Sequence, residues 1–175
     1  KSVVHHILLF VLPPGADQRG RLDKVLVGYA PGSMPLLLEE GVAAKVEAGS
    51  KLVFQMHYTP NGYVEQDRSY IGVKFMDKED VDTIIRGRLA IQPELDIPPH
   101  ADRHVETAEY KVARDEMLVS MTPHMHLRGK SFLYEALYPD GEKEVLLDVP
   151  NYDFNWQLKY ILEEPKLLPQ GTTIR

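Results

Sequence analysis

Five of the chain's seven histidines fall into three groups: the pair His5-His6, His57 within LVFQMHYTP, and His124-Met125-His126 within TPHMHLRGK. Imidazole is the commonest protein ligand for copper, zinc and iron, and the chain has no cysteine, which excludes disulfides, thiolate copper sites and cysteine-rich zinc sites. On an extended strand, residues i and i+2 point to one face about 7 Å apart. His124 and His126 therefore form a ready chelate, with Met125 turned the other way. His5 and His6 are harder to combine, because neighbours on a regular strand point to opposite faces. Both reach one ion only at a strand end or a bulge, through different ring nitrogens. His57 then supplies a third imidazole from a distant strand. The competing reading makes each group incidental, a set of partly buried polar rings on sheet faces. Gln55, two residues before His57, shares its face; it is either an outer partner of the site or the donor of a simple buried hydrogen bond.

The elements that must position these residues read as strands. Residues 3–11 are rich in β-branched and large apolar side chains and stop at Pro13-Pro14-Gly15. Residues 24–29 form a second run. Residues 51–58 alternate, with Leu52, Phe54 and Met56 on one face and Val53, Gln55 and His57 on the other. Two further strands are expected at 69–75 and 83–91, separated by the acidic turn 77–80. Residues 34–46 resemble a helix, but Gly41 and the flanking prolines leave mostly loop with a short strand. Pro93, Pro98, Pro99 and the charged run to Arg103 read as a connector between domains 1–97 and 98–175. Strands resume at 104–112, 117–121, 130–138, 144–149 and 155–161, with a hairpin at Pro139-Asp140-Gly141. Pro123 cannot donate to a ladder, which puts His124 and His126 at an edge or strand end. Many short strands with closely spaced turns indicate an all-β chain of two antiparallel β-sandwiches.

Composition narrows the function. A hydrophobic share of 43% and a charged share of 26% suit a globular chain able to bury a core. The net charge of −6 argues against nucleic acid as a partner. The longest apolar stretch, 3–12, is broken by two histidines and is too short to span a bilayer, so no membrane insertion is expected. It also lacks the basic start and small-residue cleavage site of a signal peptide. The opening at Lys1 suggests a piece of something longer. No Walker loop, dinucleotide fingerprint, nucleophile elbow or internal repeat is present.

In order, VVHHILLF, LVFQMHYTP and TPHMHLRGK resemble the motifs of the copper type II, ascorbate-dependent monooxygenases, the family that includes peptidylglycine α-hydroxylating monooxygenase and dopamine β-monooxygenase. The similarity continues through the proline turn IPPH and HVETAEYKV, and covers nearly the whole chain. The chain is most similar to large bacterial proteins that join this module to other redox domains, which implies a periplasmic or secreted location. The resemblance implies two jelly-roll domains facing each other across a solvent-filled cleft, with strands missing before the first and after the second. It assigns His5, His6 and His57 to an electron-transfer copper. His124 and His126, with a methionine, belong to the copper where oxygen is activated to hydroxylate a substrate C–H bond. Ascorbate or another reductant would supply electrons, and the substrate would be a small molecule or a peptide.

Three departures accompany the resemblance. The family's methionine ligand lies on a late strand, and Met117, Met121 and Met125 do not occupy that motif position; core packing is their expected role. Thr122 stands where the peptide-amidating member has a carboxylate-binding arginine, which argues against a peptidyl-glycine substrate. The disulfides of the animal enzymes are absent. His100 and His104 read as solvated connector residues, Asp140 and Glu142 as a solvated turn, and Trp156 with Tyr152 and Phe154 as an aromatic core cluster or a substrate surface. The rival function is a non-catalytic copper- or zinc-binding β-sandwich module. A zinc hydrolase is disfavoured, since no carboxylate sits beside the histidines as a general base.

Overall fold

The computed structural model describes residues 3–16, 24–30 and 32–175. Among them are eleven strands and a single 3-10 turn, Lys78–Asp80. The chain divides into two compact units, Lys1–Arg88 and Leu89–Arg175. The expected all-β character holds. None of the sheets closes, and one pairing, in the first unit, is parallel where antiparallel pairing was expected.

In the first unit the strands are β1 (Val4–Leu12), β2 (Val25–Tyr29), β3 (Val42–Ala44), β4 (Lys51–Tyr58) and β5 (Thr83–Ile85). β1 is the central strand of an antiparallel β2-β1-β4 sheet, as suits the most continuously apolar segment of the unit. Leu9, Phe10 and Leu12 are buried, and His6 is buried beside them at 5% exposure. β3 and β5 pair in parallel. The helix-like pattern before β3 fails at Gly41, whose φ of +75° is a left-handed conformation that favours glycine. Its carbonyl accepts hydrogen bonds from the N–H groups of Asp82 and Thr83, which ties β3 to β5.

The strand expected at 69–75 does not form, and that expected at 83–91 shrinks to Thr83–Ile85. The apolar side chains of this stretch find little to pack on: Tyr70 is 90% and Phe75 88% exposed. A strand needs a neighbour's backbone as well as β-forming residues, and without one the pattern alone carries no ladder.

The second unit contains β6 (Tyr110–Lys111), β7 (Glu116–Met121), β8 (Phe132–Leu137), β9 (Lys143–Val149), β10 (Tyr160–Leu168) and β11 (Thr173–Ile174). They form a β6-β11-β8-β9 sheet and a β10-β7 pair. Val112, Ala136, Leu168 and Ile174 make the buried core, with Tyr110, Leu118, Tyr134, Tyr138 and Leu146 packed on it. The hairpin at 139–141 joins β8 and β9 as expected. Two expectations need correction. Of the strand expected at 104–112 only Tyr110–Lys111 forms, and the strand expected at 155–161 begins five residues later, at Tyr160. The cause of the second shift is local: Asp153 accepts the N–H of Asn155 with its side chain (2.8 Å) and that of Trp156 with its carbonyl (3.0 Å). This aspartate turn takes up the N–H groups that a ladder would need.

Candidate metal centres

β1 and β4 bring the first histidine group together. Their register pairs Val4 with Tyr58 but His6 with His57, so two steps along β1 match one step along β4. His5 is the extra residue of a β-bulge. A bulge re-aims a side chain that regular pleating would send to the opposite face, and here it lets adjacent histidines approach each other. Their Nδ1 atoms are 2.9 Å apart. The same nitrogen of both rings converges, where different nitrogens were expected.

Metal-binding geometry can be tested against the ring spacings. Imidazoles whose nitrogens each stand about 2.0 Å from one ion have ring centres about 4.5 to 5.2 Å apart. His5 and His6, with centres 5.2 Å apart and planes at 77°, match that span. His6 and His57 are closer, stacked at 3.9 Å with planes at 29°. Stacked rings direct their lone pairs side by side and not to one point. This agrees with the absence, among the described residues, of any set of three or more His, Asp or Glu side chains already arrayed around a metal position. A shared ion would require the His57 ring to move apart from His6 and to reorient. His57 is half-buried, while His6 is held in the core. The chemistry of the donor set fits copper or zinc; the geometry fits two of its three members as they stand. Gln55 lies opposite Leu8 in the ladder and is exposed, which does not suit a buried hydrogen bond.

The second histidine group sits in an extended loop that leaves β7 at Met121, and not on a strand. Pro123 is fully buried at the root of this loop, which fits its inability to continue a ladder. Two tyrosines hold the backbone. The Tyr134 hydroxyl donates to the Thr122 carbonyl at 3.1 Å. The Tyr152 hydroxyl donates to the Met125 carbonyl at 2.7 Å and accepts from the Met125 N–H at 2.9 Å. Burial pushes both phenols up, Tyr134 to about 12, so both remain donors across the neutral range. Met125 packs against Gly129: a Cβ on Gly129 would lie 2.9 Å from the Met125 Cβ and 2.8 Å from the Tyr152 ring. His124 and His126 are exposed, their ring centres 5.1 Å apart and their planes at 82°. That spacing too matches imidazoles on one ion.

His124 has a partner that pattern reading did not single out. Its Nδ1 is 2.5 Å from Oε1 of Gln157, and Gln157 is buried at 6% exposure. Gln157 lies within the strand expected at 155–161, so only the turn at Asp153 hints that its side chain faces the loop.

Other candidates settle elsewhere. Met121 is buried in the core as expected, whereas Met117 is half exposed. Trp156 is 60% exposed, so it does not belong to an aromatic core. His104 is not simply solvated: its Nε2 lies 2.7 Å from Glu106, whose carboxyl the imidazole holds below its usual range. His100 occupies an exposed turn with φ of +61°. Among the described residues no helix is long and apolar enough to cross a membrane. Compared with known proteins, the chain matches no protein-family model and no curated protein.

Proposed function

We propose that the chain is the catalytic core of a copper-dependent monooxygenase with two mononuclear sites, built on jelly-roll domains. The supporting observation is the bulge at His5. A bulge leaves one residue out of the ladder, and here, one residue in from the end of the β1–β4 pairing, it sits where it brings the Nδ1 atoms of two adjacent imidazoles to 2.9 Å, next to a third ring from β4. Incidental histidines on a sheet face require no such device. His5, His6 and His57 would hold one copper, and His124 with His126 would hold the other. Copper on imidazoles passes between Cu(I) and Cu(II) and supplies one-electron chemistry without flavin or haem.

The net reaction is R–H + O2 + two electrons + two protons giving R–OH + H2O, with ascorbate or another reductant as the electron source. The chain's own residues provide the framework. β1 and β4 carry the first trio, and Tyr134 and Tyr152 hold the loop on which His124 and His126 are exposed. Thr122 offers no cation for a peptide carboxylate, so the substrate would not need one. The direct test supplies labelled dioxygen, copper and ascorbate to the full chain with a panel of organic substrates. Heavy oxygen in an organic product is expected. Oxygen uptake that yields only peroxide across the panel would favour a non-catalytic copper- or zinc-binding module.

A further inference from the structure

We propose that Gln157 is a positioning residue that fixes the tautomer of His124, so that this ring presents Nε2 as its ligand atom. The assignment rests on the copper reading of the His124–His126 pair, but its first half concerns the metal-free protein. The Gln157 carboxamide is oriented by its other end, because its Nε2 donates to the Phe154 carbonyl at 2.8 Å. A carbonyl accepts and never donates, so the amide nitrogen must lie on that side and the amide oxygen must face His124. That oxygen can only accept. The Nδ1 of His124, 2.5 Å away, therefore carries the proton. In a neutral imidazole the lone pair then lies on Nε2.

The placement of Gln157 supports this role. It is buried although its neighbours Trp156 and Asn155 are exposed, and it reaches His124 across 33 positions of sequence. The Asp153 turn that displaces β10 is what aims it, with Asn155 and Trp156 both held by Asp153. Free histidine favours the opposite tautomer, with the proton on Nε2, so an unassisted His124 would have to shift its proton before binding an ion through that atom. A hydrogen bond to the distal ring nitrogen removes this step and orients the ring, and loss of such partners typically weakens a metal about 10–100-fold.

The test uses the full chain labelled with nitrogen-15, metal-free, at a pH where the rings are neutral. Long-range proton–nitrogen correlation spectra report which ring nitrogen is protonated. Wild type is expected to show His124 protonated at Nδ1, and Gln157→Met, which keeps the volume but not the acceptor, is expected to move the proton toward Nε2. Competition titration should then show copper at His124 and His126 weakened about tenfold or more in Gln157→Met, with the His5, His6 and His57 site unchanged. A wild-type His124 protonated at Nε2 overturns the proposal, and that measurement needs no variant to fold. A Gln157→Met protein with unaltered tautomer and copper affinity overturns it equally. If the tautomer follows Gln157 but copper does not bind at the pair, the tautomer assignment stands and the two-copper function falls.

Discussion

His6 on β1 lies directly across from His57 on β4, their rings stacked at 3.9 Å, in the register that runs on from Ile7–Met56 to Leu12–Lys51, and the bulge at His5 comes immediately before it. Without the bulge His6 would still face His57, but His5 would be turned to the opposite face of the sheet and away from His6. The bulge thus brings together two rings that regular pleating would split between two faces.

Copper content follows from this arrangement. The chain should bind two copper ions at separable sites. Spin resonance of the Cu(II) form should show type II signals, and the intense thiolate-to-copper absorption should be missing, since the chain contains no cysteine. Less than one copper per chain, or zinc that resists copper challenge, would contradict the two-site reading.

The sites should also come apart by mutation. His57→Ala should remove one copper and leave the His124–His126 site loaded; the double change His124→Ala and His126→Ala should do the reverse. Metal analysis with circular dichroism decides this, and a folded variant that loses both ions would refute two independent sites.

Gly129 is set by contact and not by backbone conformation. A Cβ there would stand 2.8 Å from the Tyr152 ring and 2.9 Å from the Met125 Cβ, and neither of these atoms is the far end of a flexible side chain. Gly129→Ala is expected to destabilise the second unit by about 1–3 kcal/mol through overpacking. Displacing Tyr152 would also loosen its grip on the Met125 backbone. Denaturant unfolding and copper titration should show a weaker second site and an unchanged first site.

Acid should loosen the second unit in part through Glu144. Lys166 and then Tyr138 hydrogen-bond this carboxylate and hold it below its usual range. A carboxyl depressed in the folded state stabilises above its unfolded pKa, and that contribution is lost as pH falls through the ordinary carboxylate range to the folded value. Glu144→Gln should therefore flatten the acid limb of a stability profile, with its effect greatest near neutrality. An unchanged profile would show that the Lys166 pairing is fully screened by solvent.

Much of this molecule was legible in its residues. The runs 3–11, 24–29 and 51–58, and later 117–121, 130–138 and 144–149, carry enough β-branched and alternating apolar residues to mark strands, and these formed within about two residues of the expected limits. The grouping of the histidines, and the need for a strand end or a bulge if His5 and His6 were to meet, followed from the two-residue period of a strand. The tertiary structure decided what depends on a partner. Residues 69–75 have strand composition but no neighbouring ladder, so they stay irregular. Gln157 acquires its role from an aspartate turn that points a buried amide at a histidine 33 positions away. The approach of the His5 and His6 Nδ1 atoms, and the placing of the Gln157 amide oxygen at Nδ1 of His124, depend on distances of a few ångströms set by packing. Local pattern carries no information on that scale, because which ring nitrogen faces which neighbour is a property of the closed fold.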